Sequence, residues 1–282
     1  MGADDQQLPS LDHAEPSAVA VRIEGIRQAA RRRVSRSPAL YLPLARRKYP
    51  DAVLAADTAL VIDGFTRSAV TFAVVAFQLT QNDHVRVAHH LHAAAHVIAA
   101  ARRGVPTLVS VRDPADSILS ALIREPRVGA EQLLRSYADF HERIGPYRAE
   151  FVAATFEEVT SDFGAVTRRI NDRFGTSFSE FPHTDENVAR CFEVIEERSS
   201  RPAWERLLGK MLSGRLSMDQ FTESTAGIRD RTVAKRVPEH RVQRPSAARS
   251  ERKTGIRERY DDPRLAALRA RARSAYDALM AP

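Results

Sequence analysis

Two short segments of this chain carry residues whose types and order could handle an anion. In the first, Gly64-Phe65-Thr66-Arg67-Ser68-Ala69-Val70-Thr71 follows an apolar run, Thr58–Asp63, that stops at the glycine. Gly64 permits a tight turn, and the helical pattern begins at Ser68, so the first amides of that helix lack backbone partners. Unsatisfied N–H groups at the positive end of a helix bind phosphate. Arg67 adds a cation, while Ser68 and Thr71 add hydroxyls. The spacing is not that of a Walker A loop, G-x-x-x-x-G-K-[ST], so an ATP-dependent kinase would lack its lysine. Taken alone, a G-x-x-R-S turn reads equally as a phosphate loop or as a plain helix start.

The second segment runs from Val111-Arg112-Asp113-Pro114 to Ser120. Arg112 leaves the C-terminal end of an apolar strand, the edge at which open α/β sheets bind ligands. Ser120 stands eight residues further on, two helical turns along, where it could meet the same anion. The alternative is a loop arginine paired with Asp113 or Asp116.

A third group is histidine-rich: His84, His89, His90, His92 and His96. Imidazole exchanges protons near neutrality, so His90 is a candidate general base, the alternative being a packing or surface histidine. His92 and His96, read as one helical turn apart, could share a metal with His89 as third ligand. The glutamate of H-E-x-x-H is missing and no carboxylate lies within the stretch, so no metal is expected. No Ser-His-Asp, Cys-His or paired-carboxylate arrangement stands out. Glu157 and Glu158 read as a solvated loop, and Tyr137, Phe140 and Phe151 as core.

The elements that must position these groups alternate. Strands are expected at Thr58–Asp63, Val85–Ala88, Pro106–Val111 and Phe151–Thr155, each nearly all apolar, as when both sheet faces are covered. Between them the period becomes helical at Ser68–Leu79, with Phe72, Val75, Ala76 and Leu79 on one face, and at Leu91–Arg103. Asp113 followed by Pro114 predicts an N-cap and a first helical residue. Further helices are expected at Leu133–Ile144, at Asp162–Phe174 ended by Gly175, and at Pro263–Leu279. Upstream, helices are expected around 17–33 and before Pro50, and the first ends in Arg31-Arg32-Arg33, a basic run that reads as a solvated helix end, the alternative being contact with an anion. This order predicts an α/β fold with a central, mainly parallel sheet of about four to five strands.

Composition narrows the class. The chain has 282 residues, 43% hydrophobic and 28% charged, enough for one sizeable core. A net charge of +7 favours anionic partners, yet the arginines are scattered and aromatics reach only 7%, which argues for a phosphorylated small molecule rather than nucleic acid. Cys191 is the single cysteine, excluding an intramolecular disulfide and fitting a cytoplasmic setting. No apolar run reaches the roughly 18 residues of a membrane span. Residues 1–16 read as a flexible leader, followed by one domain over 17–282.

Taken together, the two anion segments resemble the PAPS-dependent sulfotransferase family. Gly64 to Phe72 is similar to that family's 5′-phosphosulfate loop, G-Y-P-K-S-G-T-T-W, and Val111-Arg112-Asp113-Pro114 through Ser120 to its 3′-phosphate motif. Phe156-Glu157-Glu158-Val159 with Phe174-Gly175 resembles its Y-E-D-L…F-L-G segment, and Arg252-Lys253-Thr254-Gly255 its final nucleotide loop. The resemblance covers about 58–178. It implies a three-layer, P-loop-like fold: a nucleotide-binding core at 58–178, a helical and loop acceptor region at 181–245, and C-terminal helices at 246–282.

It also implies an enzyme that moves a sulfuryl group from PAPS to a hydroxyl, or an amine, of a small-molecule or carbohydrate acceptor, without a metal. Arg67, Ser68, Thr71 and the backbone of Ala69 and Val70 would contact the 5′-phosphosulfate, and Arg112 with Ser120 the 3′-phosphate. His90 would be the base, by the likeness of Ala88-His89-His90-Leu91 to K-x-H-L, and Arg67 would stabilise the leaving group. Ala69-Val70 stands where the family has Gly-Thr, and Ala88 where it has lysine. A degenerate nucleotide-binding regulator or scaffold is the alternative, and an ATP-dependent P-loop kinase the more remote one. The acceptor pocket is expected from the region after residue 181 together with the N-terminal helices. Neither the acceptor nor an oligomeric state is encoded in these motifs.

Overall fold

Four short apolar runs fold as parallel strands because each has helices on both sides to cover it. A computed structural model of the chain describes residues 25–26, 29–30, 32–125, 128–200 and 255–281. The strands are β1 (Leu60–Gly64), β2 (Val87–His89), β3 (Thr107–Val111) and β4 (Val152–Thr155), paired in the order β2-β1-β3-β4. All three pairings are parallel, with Ile62 opposite His89 and Leu108, and Gly64 opposite Ser110. The chain lays β2 on one side of β1 and then crosses to place β3 on the other. The switch point of the sheet therefore lies between the C-terminal ends of β1 and β3, where open α/β sheets bind ligands.

The helices are α1 (Pro38–Lys48), α2 (Val70–Thr80), α3 (Ala94–Arg102), α4 (Pro114–Arg124), α5 (Ala130–Ile144), α6 (Phe156–Ser161), α7 (Phe163–Phe174), α8 (Asp185–Ser200) and α9 (Ala266–Met280). Strand side chains alternate between faces, which divides the core in two. Leu60, Ile62, Leu108, Val152 and Ala154 pack with α2, α7 and α8, while Val109, Val111 and Ala153 pack with α3, α4, α5 and α9. The result is a three-layer α/β arrangement with four strands.

Helix α2 shows no polar stripe over most of its length: Phe72 through Phe77 are all buried, and the expected core residue Leu79 is 43% exposed. The cause is α8, whose Cys191 and Ile195 cover the side of α2 that the sheet does not. Tyr137, Phe140 and Phe151 are core residues, as expected. Glu157 and Glu158 sit on α6 rather than on a loop, because Thr155 and Glu158 form a reciprocal capping box. Asp113 caps α4 through Ala115 N and Asp116 N with Pro114 at the first position, and α7 ends at left-handed Gly175 (φ 64°).

At the C-terminus, α9 buries Ala272, Ala275 and Leu279 against α5. The expected leader at 1–16, residues 201–245 of the acceptor region and Arg252-Lys253-Thr254 lie outside the described residues. No helix among the described residues is long and apolar enough to cross a membrane.

Candidate functional site at the switch point

The turn after β1 is as tight as Gly64 predicts, though for a reason of contact rather than dihedral. Gly64 lies against the carbonyl oxygen of Ser110 on β3, and an added Cβ would overlap that atom and stand 2.7 Å from Ser68 Oγ. The loop that follows alternates handedness. Arg67 (φ 72°) and Ala69 (φ 69°) are left-handed; Thr66, Ser68 and Val70 are not. Such alternation turns successive N–H groups to one side and makes an anion-binding concavity. Ser68 is buried and spends its hydroxyl on the Phe65 carbonyl (2.7 Å), while Ser110 Oγ donates to the Ser68 carbonyl. Ser117 Oγ donates to the Thr66 carbonyl (2.8 Å). Ser68 is thus a brace of the loop in this structure, and Ser110 and Ser117 are two further braces with no marked sequence pattern of their own.

A side chain at φ near 70° costs about 1–2 kcal/mol, a strain absent in glycine. Ala69→Gly is therefore expected to raise unfolding free energy by about 0.5–1 kcal/mol, the steric relief exceeding glycine's entropy cost. A higher urea midpoint at unchanged slope would be the readout; a midpoint at or below that of the wild type would refute the strain.

Pairing of β1 with β3 brings the two anion segments together. Arg67 Nε donates to Ser120 Oγ (3.0 Å), and Arg112 Nη1 donates to the Arg67 carbonyl (3.0 Å). Arg112 lies over the Phe156 ring, 3.8 Å from its centroid, and Tyr137 Oη donates to the Arg112 carbonyl (2.5 Å). Burial pulls the Arg112 guanidinium below its ordinary range, against the pull of Asp116, Glu157 and Asp113. Asp113 is not its ion-pair partner, for its carboxylate caps α4 and pairs with Arg273 of α9. Arg112 Nε is buried and has no hydrogen-bond partner among the described residues.

On the other side of the loop, Thr71 Oγ1 lies 2.8 Å from His90 Nε2, and His90 Nδ1 lies 2.8 Å from His89 Nδ1. Burial, with His89 and His92 beside it, pushes His90 down to about 3, so its imidazole is neutral at physiological pH. His90 (φ 58°) and His92 (φ 49°) are both left-handed and precede α3, so His92 and His96 do not share a helix face as their spacing suggests.

The organising group here is Asp63, which sequence reading passed over as the last residue of an apolar run. It is fully buried; Oδ1 accepts from the Gly64 and His92 amides (2.9 and 3.0 Å) and Oδ2 from His96 Nδ1 (2.7 Å). Burial alone would raise its carboxyl, but the hydrogen bond and charge of His96, with help from His92 and the Gly64 amide, hold it below its usual range. The signal that could have found it is a carboxylate ending a buried strand directly before the glycine of a tight turn. Among the described residues no group of three or more His, Cys, Asp or Glu side chains is arranged to hold a metal.

A cavity of about 130 Å³ opens beside the loop, with Phe65, Thr66 and His92 on its wall. Among the described residues its other walls come from residues 32–36, Ala94, Glu125 and α5, and none of these lies beyond residue 181. In comparisons with known proteins, no family model, no curated protein and no solved structure matches the chain.

Proposed function

We propose that this chain is a sulfotransferase moving a sulfuryl group from PAPS to a hydroxyl, or an amine, of a small acceptor. The observation that carries the reading is the meeting of Arg67 and Arg112 at the switch point, around a loop of alternating handedness. Two guanidiniums and the amides of a loop of alternating handedness suit a ligand with phosphate at two places better than one with a single phosphate. The unpartnered Arg112 Nε supports the fit, since a buried donor is costly unless an acceptor reaches it. The donor nucleotide supplies the sulfuryl group. Arg67, Thr71 and the amides of Ala69 and Val70 hold its 5′ side, and Arg112 with Ser120 its 3′-phosphate.

In this reading catalysis is mainly positioning and charge stabilisation, as in phosphoryl transfer. Arg67 and the loop amides stabilise charge on the departing phosphate. His90, neutral in its buried setting, takes the acceptor's proton at Nε2, the atom that faces Thr71. Its hydrogen bond to His89 fixes which nitrogen is available. Two observations favour a second reading, a nucleotide-binding protein without transfer. Ala88, in the place of the assisting lysine, is fully buried within β2, and left-handed Ala69 replaces glycine.

A thermal-shift comparison of 3′-phosphoadenosine 5′-phosphate, ATP with Mg²⁺ and AMP tests the proposal. The bisphosphate at about 100 times its Kd is expected to add about 2.7 kcal/mol of stability, and AMP much less. Arg112→Ala is expected to abolish the preference for the 3′-phosphate, at least about tenfold in Kd, through loss of a charge-assisted pair. Stabilisation by ATP alone, or a preference unchanged in the variant, would overturn the assignment. Binding of the bisphosphate without transfer of labelled sulfate from PAPS across an acceptor panel would favour the second reading.

A further inference from the structure

We propose that the cavity between residues 32–36 and α5 binds a small ring compound bearing a carboxylate. Its role as acceptor rests on the sulfuryl-transfer reading, whereas its binding does not. The cavity, about 130 Å³, compares with the ~150 Å³ cavity that admits benzene, so one six-membered ring fits. Phe65, Leu133 and Phe140 supply an apolar wall for the flat faces of such a ring.

The charges on the wall choose the substituent. Asp139 is committed: it accepts from Arg36 (2.7 Å) and from Arg271 (2.7 Å), and these hydrogen bonds outweigh burial and keep its carboxyl below the usual range. Arg32 and Arg143 also line the cavity, and their guanidiniums have no hydrogen-bond or ion-pair partner among the described residues. Glu125 is the other carboxylate of the wall. Three guanidiniums, of Arg32, Arg36 and Arg143, against the carboxylates of Asp139 and Glu125 leave the described wall of the cavity net positive. Guanidinium holds carboxylate through two parallel N–H···O bonds, which gives geometric selection as well as charge.

The remaining wall groups favour a ring that also carries a hydroxyl. Ser35 and Ser136 donate their own protons to helix carbonyls (3.0 and 2.7 Å) and are left as acceptors. His92 Nδ1 is taken by the Gly64 carbonyl (2.8 Å), which leaves Nε2. Thr66 and His92 are shared between this cavity and the loop of the nucleotide site. A hydroxyl on the bound ring is thereby brought to the edge of that loop.

The test uses the full chain and titrates 4-hydroxybenzoate against its neutral partner, 4-hydroxybenzamide, by calorimetry. The acid is expected to bind at least about tenfold tighter than the amide, from one charge-assisted pair. Arg32→Gln and Arg143→Gln are each expected to cut that preference at least about fivefold, and Arg143→Lys to keep part of it. Equal Kd values for acid and amide, or a preference intact in both glutamine variants, would overturn the proposal. Titrating 3′-phosphoadenosine 5′-phosphate into the same samples separates the two readings. Loss of nucleotide binding with the acid preference retained refutes the donor assignment and leaves the cavity assignment standing. Nucleotide binding without the acid preference refutes the cavity assignment alone.

Discussion

Replacing Gly64 by alanine is expected to destabilise the protein by about 3 kcal/mol, at the upper end of the cost of overpacking a core. At this chain length that corresponds to a fall in Tm of roughly 6–12 °C. The added methyl overlaps the Ser110 carbonyl and presses on Ser68 Oγ at 2.7 Å. Neither neighbour can yield cheaply. Ser110 is backbone in a central strand paired with β1 at this very residue, and Ser68 is buried and bonded to Phe65. Relief therefore requires β1 and β3 to part at the switch point, which also separates Arg67 from Ser120. The same variant should accordingly lose affinity for the bisphosphate more than its folded fraction explains. A melting temperature within 2 °C of wild type would show that the close approach carries no such weight.

Acidification from pH 7 to pH 5 is expected to remove about 4 kcal/mol of stability, about 2 from each of two buried histidines. His141 is buried within the core around Phe65 and Tyr137, donating Nδ1–H to the Tyr137 carbonyl (2.8 Å). Burial, opposed by that bond, pushes it down to about 4, and burial with its histidine neighbours pushes His90 to about 3. Both lie below the ordinary value of 6.5, so at pH 5 both are neutral when folded and protonated when unfolded. The unfolded chain then binds more protons, and stability falls as pH drops below about 6.5. Asp63 acts in a lower window. Its carboxyl is held below its ordinary value of 3.8, so its contribution is present above that pH and fades beneath it.

Urea denaturation at the two pH values measures the difference. His141→Gln should lower stability at pH 7 yet halve the loss on going to pH 5. Equal stability at both pH values in the wild type would contradict the buried, neutral state of these rings.

Much of this architecture is written locally. Alternating apolar runs and helical periods are enough to predict a parallel sheet covered on both faces, because a strand buried on both sides is built mainly of apolar residues. Asp113-Pro114 marks the start of α4 and Gly175 the end of α7 by cap chemistry that needs no tertiary partner. Arg67 and Arg112 are legible as candidate anion ligands for the same reason: each stands where a strand gives way to a helix.

Other features depend on partners far along the chain. Leu79 belongs to the apolar period of α2, yet it is exposed, while Cys191 and Ile195 of α8 pack against other residues of that helix. The spacing of His92 and His96 suggests one helix face, but Asp63 draws the His92 amide and the His96 ring to itself from β1. Ser68 and Ser120 are hydroxyls a sequence assigns to a ligand; folded, one braces the Phe65 carbonyl and the other accepts from Arg67. The cavity beside Thr66 is built by residues 32–36 and α5, about a hundred positions apart.

The sequence by itself thus determined the strand–helix alternation and the position of two cationic turns, because these rest on neighbours within a few residues. Only the tertiary structure decided that β1 lies beside β3, that Asp63 ties β1 to α3, and which hydroxyls remain to meet a ligand. Hydrogen-bond partners and close contacts in a folded core are set by which strands lie side by side, and no local pattern encodes that choice.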